Sequence, residues 1–482
     1  MIWRLLAVLL LWAVPVQAFP HHGGPGIPYV PATIDPGPSL ALYNAPYYTC
    51  VTNYYVSTTG NDSNNGTSSG TPWLTLAHAA SQSVAAGSCI NIVPGLYSQS
   101  SLLTIANGGN AATATGLVAW RCQVMPFSFS AGALQGEGTG CHVQASGAIT
   151  GDLVDVTASY VIVDGLELDG NSFDVTGACY NMNSGGLVAI HHMWIVNSDT
   201  HGCGAGGIFD SSSYTYVIHD VNHDNSGANF EGNGISVYEP LGISGYSPTT
   251  LDNLWCATIP SNICFQIVVA YTVSYHNYDI QSGSSNTDGE GLIFDTFDHT
   301  QTSCPGPGVC PFAGNALALG NLLYYNGGSG LRVYNNTAGA TVYNVNNTAY
   351  DNQWDTHYTS VQKADYWMQV ADNVYWLNNI VYSVVSGSAT FYLDGGTSNI
   401  ANNNISYPGS KTVVVAPPTY SLTGPGANLD GTDPLLTSLT PNQAAQNFAL
   451  TGSSPAISFA TPFSLWPTTD DGACQHQLTT CP

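Results

Sequence analysis

Asp288-Gly-Glu-Gly-Leu-Ile-Phe-Asp295 lies between two stretches built to the same plan, Glu231-Gly-Asn-Gly-Ile-Ser-Val-Tyr238 and Gly327-Gly-Ser-Gly-Leu-Arg-Val-Tyr334. Each opens on a glycine step and runs into a short strand-forming segment. Between them recur apolar runs that end in asparagine: Val221-Asn-His-Asp-Asn225, Val273-Ser-Tyr-His-Asn277, Leu322-Leu-Tyr-Tyr-Asn326 and Asn347-Thr-Ala-Tyr-Asp-Asn352. Self-similar short strands with a turn signal at each corner mark a solenoid, in which every coil buries its inner face on its neighbours. Alternation in Val161-Ile-Val-Asp-Gly-Leu-Glu-Leu-Asp169 fits half-buried strands. Asparagine suits sharp corners, because it tolerates left-handed geometry and its side chain bonds the backbone. Stacked asparagines, such as those in Asn378-Asn-Ile380 and Asn402-Asn-Asn-Ile405, are expected to form internal ladders. The fold expected is an all-β parallel β-helix. Only Thr75–Val84 offers a helical pattern, and it is expected to form a short N-terminal cap.

Composition narrows the function classes. Only 7% of the 482 residues are charged, and five Lys/Arg stand against 30 Asp/Glu, a formal charge of −25. A chain so short of cations does not bind nucleic acid or an anionic membrane surface, since both need clustered positive charge. It also repels a polyuronate unless a divalent cation bridges the two. Residues 1–18 read as a secretory signal: Arg4, an apolar run from Leu5 to Val14, then Val16-Gln-Ala18 for cleavage. No segment is long and apolar enough to be a membrane span. Residues 19–49 read as a Pro/Gly-rich linker, 50–475 as the β-helix and 476–482 as a tail. A secreted or periplasmic monomer is expected. Twelve cysteines in an exported chain imply disulfides. The close pairs are Cys256 with Cys264, Cys304 with Cys310 and Cys474 with Cys481.

Three segments carry a resemblance to a known family. They are Tyr54–Thr67 with Thr71-Pro-Trp-Leu-Thr75 and Ile90-Asn-Ile-Val-Pro-Gly-Leu-Tyr97; the central glycine steps; and Asp433-Pro-Leu-Leu436 with Asn447–Ile457 and Thr469-Asp-Asp-Gly472. Together they resemble the secreted right-handed parallel β-helix repeat proteins of the pectate-lyase-like superfamily, over residues 50–475. The resemblance implies the architecture and an extracellular polysaccharide partner. It leaves chemistry open, because the superfamily holds lyases, hydrolases, epimerases and non-enzymes.

Aligning the glycine steps predicts which side chains share a face. Asp288 stacks on Glu231; Tyr238, Asp295 and Tyr334 form one row, and Ser236, Ile293 and Arg332 another. Glu231, Asp288, Glu290 and Asp295 are thereby expected on one exterior patch, with Arg332 as substrate clamp or base. The intervals from Gly234 to Gly291 and from Gly291 to Gly330 exceed a bare coil of roughly 20–29 residues. The surplus falls in inserts 240–265 and 298–313, each with a close cysteine pair, and these are expected to wall a cleft. Tyr238, Tyr334, Trp255 and His299 are expected to bind substrate, with Phe265 and Phe312 as further apolar surface. Paired carboxylates suit glycoside hydrolysis. In the lyases that the chain resembles, acids hold calcium and a Lys or Arg abstracts the proton. Asp288, Glu290, Asp295 and Asn286 are the expected calcium ligands, since calcium takes several oxygens. The competing class is a non-catalytic glycan-binding or matrix protein.

Overall fold

A computed structural model describes residues 47–466 and 472, except residues 125, 127, 131–132, 136–137, 139, 183–189, 226–231, 244–248, 280–287, 303, 305–309, 356–363, 409–411, 415–417, 421–425 and 440–446. The chain visits three sheets in turn and returns to each one coil further on. The result is three stacked parallel sheets of twelve, eleven and ten strands. This is a parallel β-helix. A helix, Leu76–Ser81, forms inside the stretch expected to be helical; the Thr75 hydroxyl accepts from the His78 amide, and Leu76 and Ala79 are buried. No helix among the described residues is long and apolar enough to cross a membrane.

Inward side chains stack coil on coil. Ile208, Ile235, Leu292, Leu331, Tyr366 and Phe391 form one row of the ten-stranded sheet. Two asparagine ladders run along corners of successive coils. One ladder passes hydrogen bonds from Asn321 to Asn347 (2.9 Å), Asn379 (3.1 Å), Asn404 (2.9 Å) and Asn428 (2.8 Å). The other runs from Asn225 through Asn277 (3.2 Å), Asn326 (3.0 Å) and Asn352 (2.9 Å) to Asp365 (2.9 Å). Such side chains satisfy buried backbone groups that the corners leave without a strand partner.

The glycine steps and the asparagine corners are one device. A Cβ at Gly291 would lie 2.7 Å from Asn326 Nδ2, one at Gly330 2.8 Å from Asn352 Nδ2, and one at Gly234 would meet Asn277 Nδ2 at 2.6 Å and collide with Ser274 Oγ. Glycine is needed there because the ladder fills the space a side chain would take.

Five disulfides occur among the described residues: Cys50–Cys89, Cys122–Cys141, Cys179–Cys203, Cys256–Cys264 and Cys304–Cys310. The last two are pairs read from the sequence. The third expected pair is not one of these five, because Cys474 and Cys481 both lie outside the described residues. The first three join cysteines 19 to 39 residues apart, which spacing alone did not pair. Five disulfides fit an oxidising compartment.

Candidate active site

Register confirms the alignment of the central strands. Ser236, Ile293 and Arg332 share one row, and Tyr238, Asp295 and Tyr334 share the next. Asp288 and Glu290 enter on the lead-in before the strand Leu292–Asp295. Asn233, on the preceding coil, fixes that lead-in. Its Oδ1 accepts from the amides of Gly289 (3.1 Å) and Glu290 (2.8 Å), and its Nδ2 donates to Asp288 Oδ2 (3.4 Å). Glu231 and Asn286 lie outside the described residues.

Arg332 is not placed as a clamp or base. Its side chain reaches back to the preceding coil, with Nη1 3.1 Å from Glu290 Oε1 and 3.7 Å from Asp288 Oδ1. Nη2 donates to Gln369 Oε1 at 2.8 Å. The rings of Trp367 and Tyr334 hold the guanidinium, at 4.2 and 4.8 Å. Arg332 is only 5% exposed, and its charge lies against the acids beside it. It bridges Asp288 and Glu290. Of the expected calcium ligands, Asp288 and Glu290 lie against this guanidinium, and Asn286 lies outside the described residues. Among the described residues no group of three or more His, Cys, Asp or Glu is arranged to hold a metal ion.

The acids differ from one another. Burial pushes the Glu290 carboxyl up to about 8; Arg332 opposes the shift and Asp288 adds to it. Glu290 has no exposed surface and accepts from Arg332 Nη1. Asp295 is partly exposed, and burial together with the negative Asp288 pushes its carboxyl up to about 7, against a hydrogen bond from Thr296. Asp288 is partly exposed as well.

Glu239 is a member of the patch that the sequence reading missed. It is buried, and its carboxylate accepts from the amides of Gln301 (2.6 Å) and Thr302 (3.1 Å) and from the Thr302 hydroxyl. This fastens the start of insert 298–313 beside Asp295. Gln301 Nε2 then reaches Thr296 Oγ1 (2.9 Å), and the Tyr238 hydroxyl donates to Gln301 Oε1 (3.3 Å). His299 Nδ1 stands 3.8 Å from Glu239 Oε2. The available signal was an acid one residue past the aligned Tyr238.

The described aromatic residues of insert 240–265 do not line a cleft beside the carboxylates. Leu251, Trp255, Ala257 and Phe265 join an apolar layer on the outer face of the twelve-stranded sheet, where Trp255 stacks on Tyr216 at 6.2 Å. Trp255 has no exposed surface and cannot meet a sugar. Phe312 is likewise buried, against Phe297. Apolar area outweighs any gain from leaving these rings in water.

A second row of acids lies on the outer face of the eleven-stranded sheet, interleaved with histidines. His142 Nε2 is 3.1 Å from Asp169 Oδ2 and His201 Nε2 is 3.5 Å from Glu167 Oε1. His223 is 3.2 Å from Asp199 and 2.8 Å from Asp224, and His276 is 3.6 Å from Asp224. Although burial opposes it, the His142 bond and the His201 charge hold Asp169 well below the usual carboxylate range. His223 and His276 do the same for Asp224. Burial alone would lower His201; the Glu167 bond and the charges of Asp199 and Asp169 carry it up to about 9.

No protein-family model matches the chain, and no curated protein matches it in sequence. Among solved structures it is similar to the pectate lyase Pel9A (18% identity, covering 90% of this chain and 98% of that one, TM-score 0.43). A rhamnogalacturonan lyase is similar at 16% identity, 88% and 99% coverage and TM-score 0.46. XylC, solved in complex with xylose, is similar at 10% identity, 73% and 75% coverage and TM-score 0.39. The fold stands on the three parallel sheets themselves.

Proposed function

We propose that this protein is an extracellular glycan-cleaving enzyme of the hydrolase type, centred on Asp295 and Asp288. The observation that carries this reading is the partly exposed Asp295, whose carboxyl lies near 7 beside a second partly exposed carboxyl. A carboxylic acid that keeps its proton near neutrality can protonate a leaving glycosidic oxygen, while its neighbour activates water or attacks the sugar carbon. Proton abstraction at C5 is less well supported, because Arg332, the basic residue of the patch, is buried and bonded to Glu290. Export is supported by the leader-like residues 1–18 and the disulfides. With one enclosed cation among so many acids, the reading favours an uncharged polysaccharide over a polyuronate.

The test is incubation with neutral and acidic polysaccharides, following reducing ends and the ultraviolet absorbance of unsaturated products. New reducing ends without absorbance, insensitive to a chelator, support hydrolysis. Absorbance, or loss of activity with chelator, replaces it with calcium-assisted elimination. Binding without any cleavage leaves the glycan-binding class.

A further inference from the structure

The strand Leu292–Asp295 ends in a corner that its next residue does not favour. Thr296 is fully buried and adopts a φ of 49°. Neighbouring coils turn at the same place through Glu239 (φ 44°) and Asn335 (φ 48°). The corner is bonded from coil to coil: the Glu239 amide donates to the Asp295 carbonyl (3.0 Å) and the Thr296 amide to the Tyr334 carbonyl (2.8 Å). Asparagine tolerates left-handed backbone, whereas a β-branched residue is strained there. Strain of this kind is held by its surroundings and clusters at functional sites. What the strained residue supplies is a hydroxyl, which donates to Asp295 Oδ1 at 2.7 Å.

That hydroxyl has one proton, and insert 298–313 sets its direction. Gln301 Nε2 donates to Thr296 Oγ1 (2.9 Å), which leaves the Thr296 proton for Asp295. Gln301 Oε1 accepts from the Tyr238 hydroxyl (3.3 Å), and Glu239 Oε1 fastens the Gln301 amide (2.6 Å). Every bond from Tyr238 through Gln301 and Thr296 to Asp295 therefore points the same way. We infer that Thr296 and Gln301 are positioning residues for Asp295, holding Oδ1 as an acceptor so that the proton given to the leaving oxygen sits on Oδ2. This rests on the proposed function. An acid whose proton is fixed in place is aligned before the reaction begins, and alignment supplies a large share of a catalytic effect. The charged groups facing Asp295 are Asp288, Arg332 and Glu239, with His299 3.8 Å from Glu239; Tyr238 and Tyr334 are its neighbours in register.

The experiment compares two variants of the full chain: Thr296→Val, which keeps the shape and loses the donor, and Thr296→Ser, which keeps the donor. Asp295 is titrated by isotope-edited carboxyl NMR, its signal assigned by its loss in Asp295→Asn. Because the lost bond favours the charged carboxylate, Thr296→Val should raise the Asp295 midpoint by about 0.5–1 pH unit. Thr296→Ser should leave the midpoint near that of the wild type. Activity is read on soluble β-glucan, galactomannan and arabinoxylan. Thr296→Val should lower kcat about tenfold with KM unchanged and move the alkaline limb of the pH–activity profile upward, and Thr296→Ser should restore both. An unmoved midpoint in Thr296→Val overturns the inference, as does a Thr296→Ser enzyme impaired equally. If Thr296→Val does not fold, Gln301→Ala on the exposed insert makes the same comparison, with a smaller upward shift expected and no shift overturning the inference. If the wild type cleaves none of these polymers the proposed function fails, and the titration still decides whether Thr296 holds Asp295.

Discussion

On the ten-stranded face the carboxyls of Glu290 and Asp295 are pushed up to about 8 and about 7, whereas on the eleven-stranded face Asp169 and Asp224 are held well below the usual carboxylate range. Both faces carry clusters of acids. They differ in what lies between the acids. Where Asp169 and Asp224 stand, imidazoles from neighbouring coils lie against them: His142 and His201 beside Asp169, and His223 and His276 beside Asp224. At Glu290 and Asp295, the Arg332 guanidinium is the opposing charge, and burial outweighs it. The first arrangement is a structural ladder. The second retains protons that a reaction could use.

The largest effect should separate the faces by activity. Asp295→Asn or Asp288→Asn is expected to reduce glycan cleavage by about 10²–10⁴-fold, as loss of an acid or base does, with little change in melting temperature. Asp169→Asn should do the reverse. It deletes charged hydrogen bonds to His142 and Gln144 and is expected to lower stability by about 1–3 kcal/mol in urea unfolding at pH 6, leaving cleavage unchanged. Equal loss of activity from Asp169→Asn would break the comparison.

Stability against pH sharpens it. His201 has a folded value raised from 6.5 to about 9, so its contribution is fully present below 6.5 and is lost as pH rises through 9. Asp169 and Asp224 are depressed, so theirs is present above the unfolded value of 3.8 and lost as pH falls below it. Glu290 and Asp295 are raised, and each opposes folding as pH climbs from its unfolded value towards 8 or 7. The urea midpoint is therefore expected to peak in weak acid, between about 4 and 6.5. The decline between pH 8 and 9 belongs to His201, and His201→Gln should flatten it.

The smallest expected effect concerns Arg332, whose charge lowers both raised carboxyls. Arg332→Met should move the alkaline limb of the pH–activity profile upward by less than about one pH unit. A downward shift would mean that the guanidinium does not act on Asp295.

Much of this architecture was legible in the chain because each coil repeats the same local problem. A glycine step must pair with an asparagine corner, since the Gly291 Cβ position and Asn326 Nδ2 compete for one space. That local rule sets the register and so predicts the rows of Asp295 and Arg332 correctly. The two short disulfide loops were readable for the same reason, since their partners are close in sequence. What lies above each row was not legible. Trp255 looked like a sugar platform but is buried on another sheet, because a long insert can fold over either neighbouring face and apolar area decides which. Glu239 carried no repeat signature, and its place follows from where insert 298–313 is fastened. Sequence alone determined the coil, because its period is enforced residue by residue through stacking. Only the tertiary structure decided which acids are buried, paired or open to solvent, because those properties depend on neighbours contributed by other coils and by the inserts.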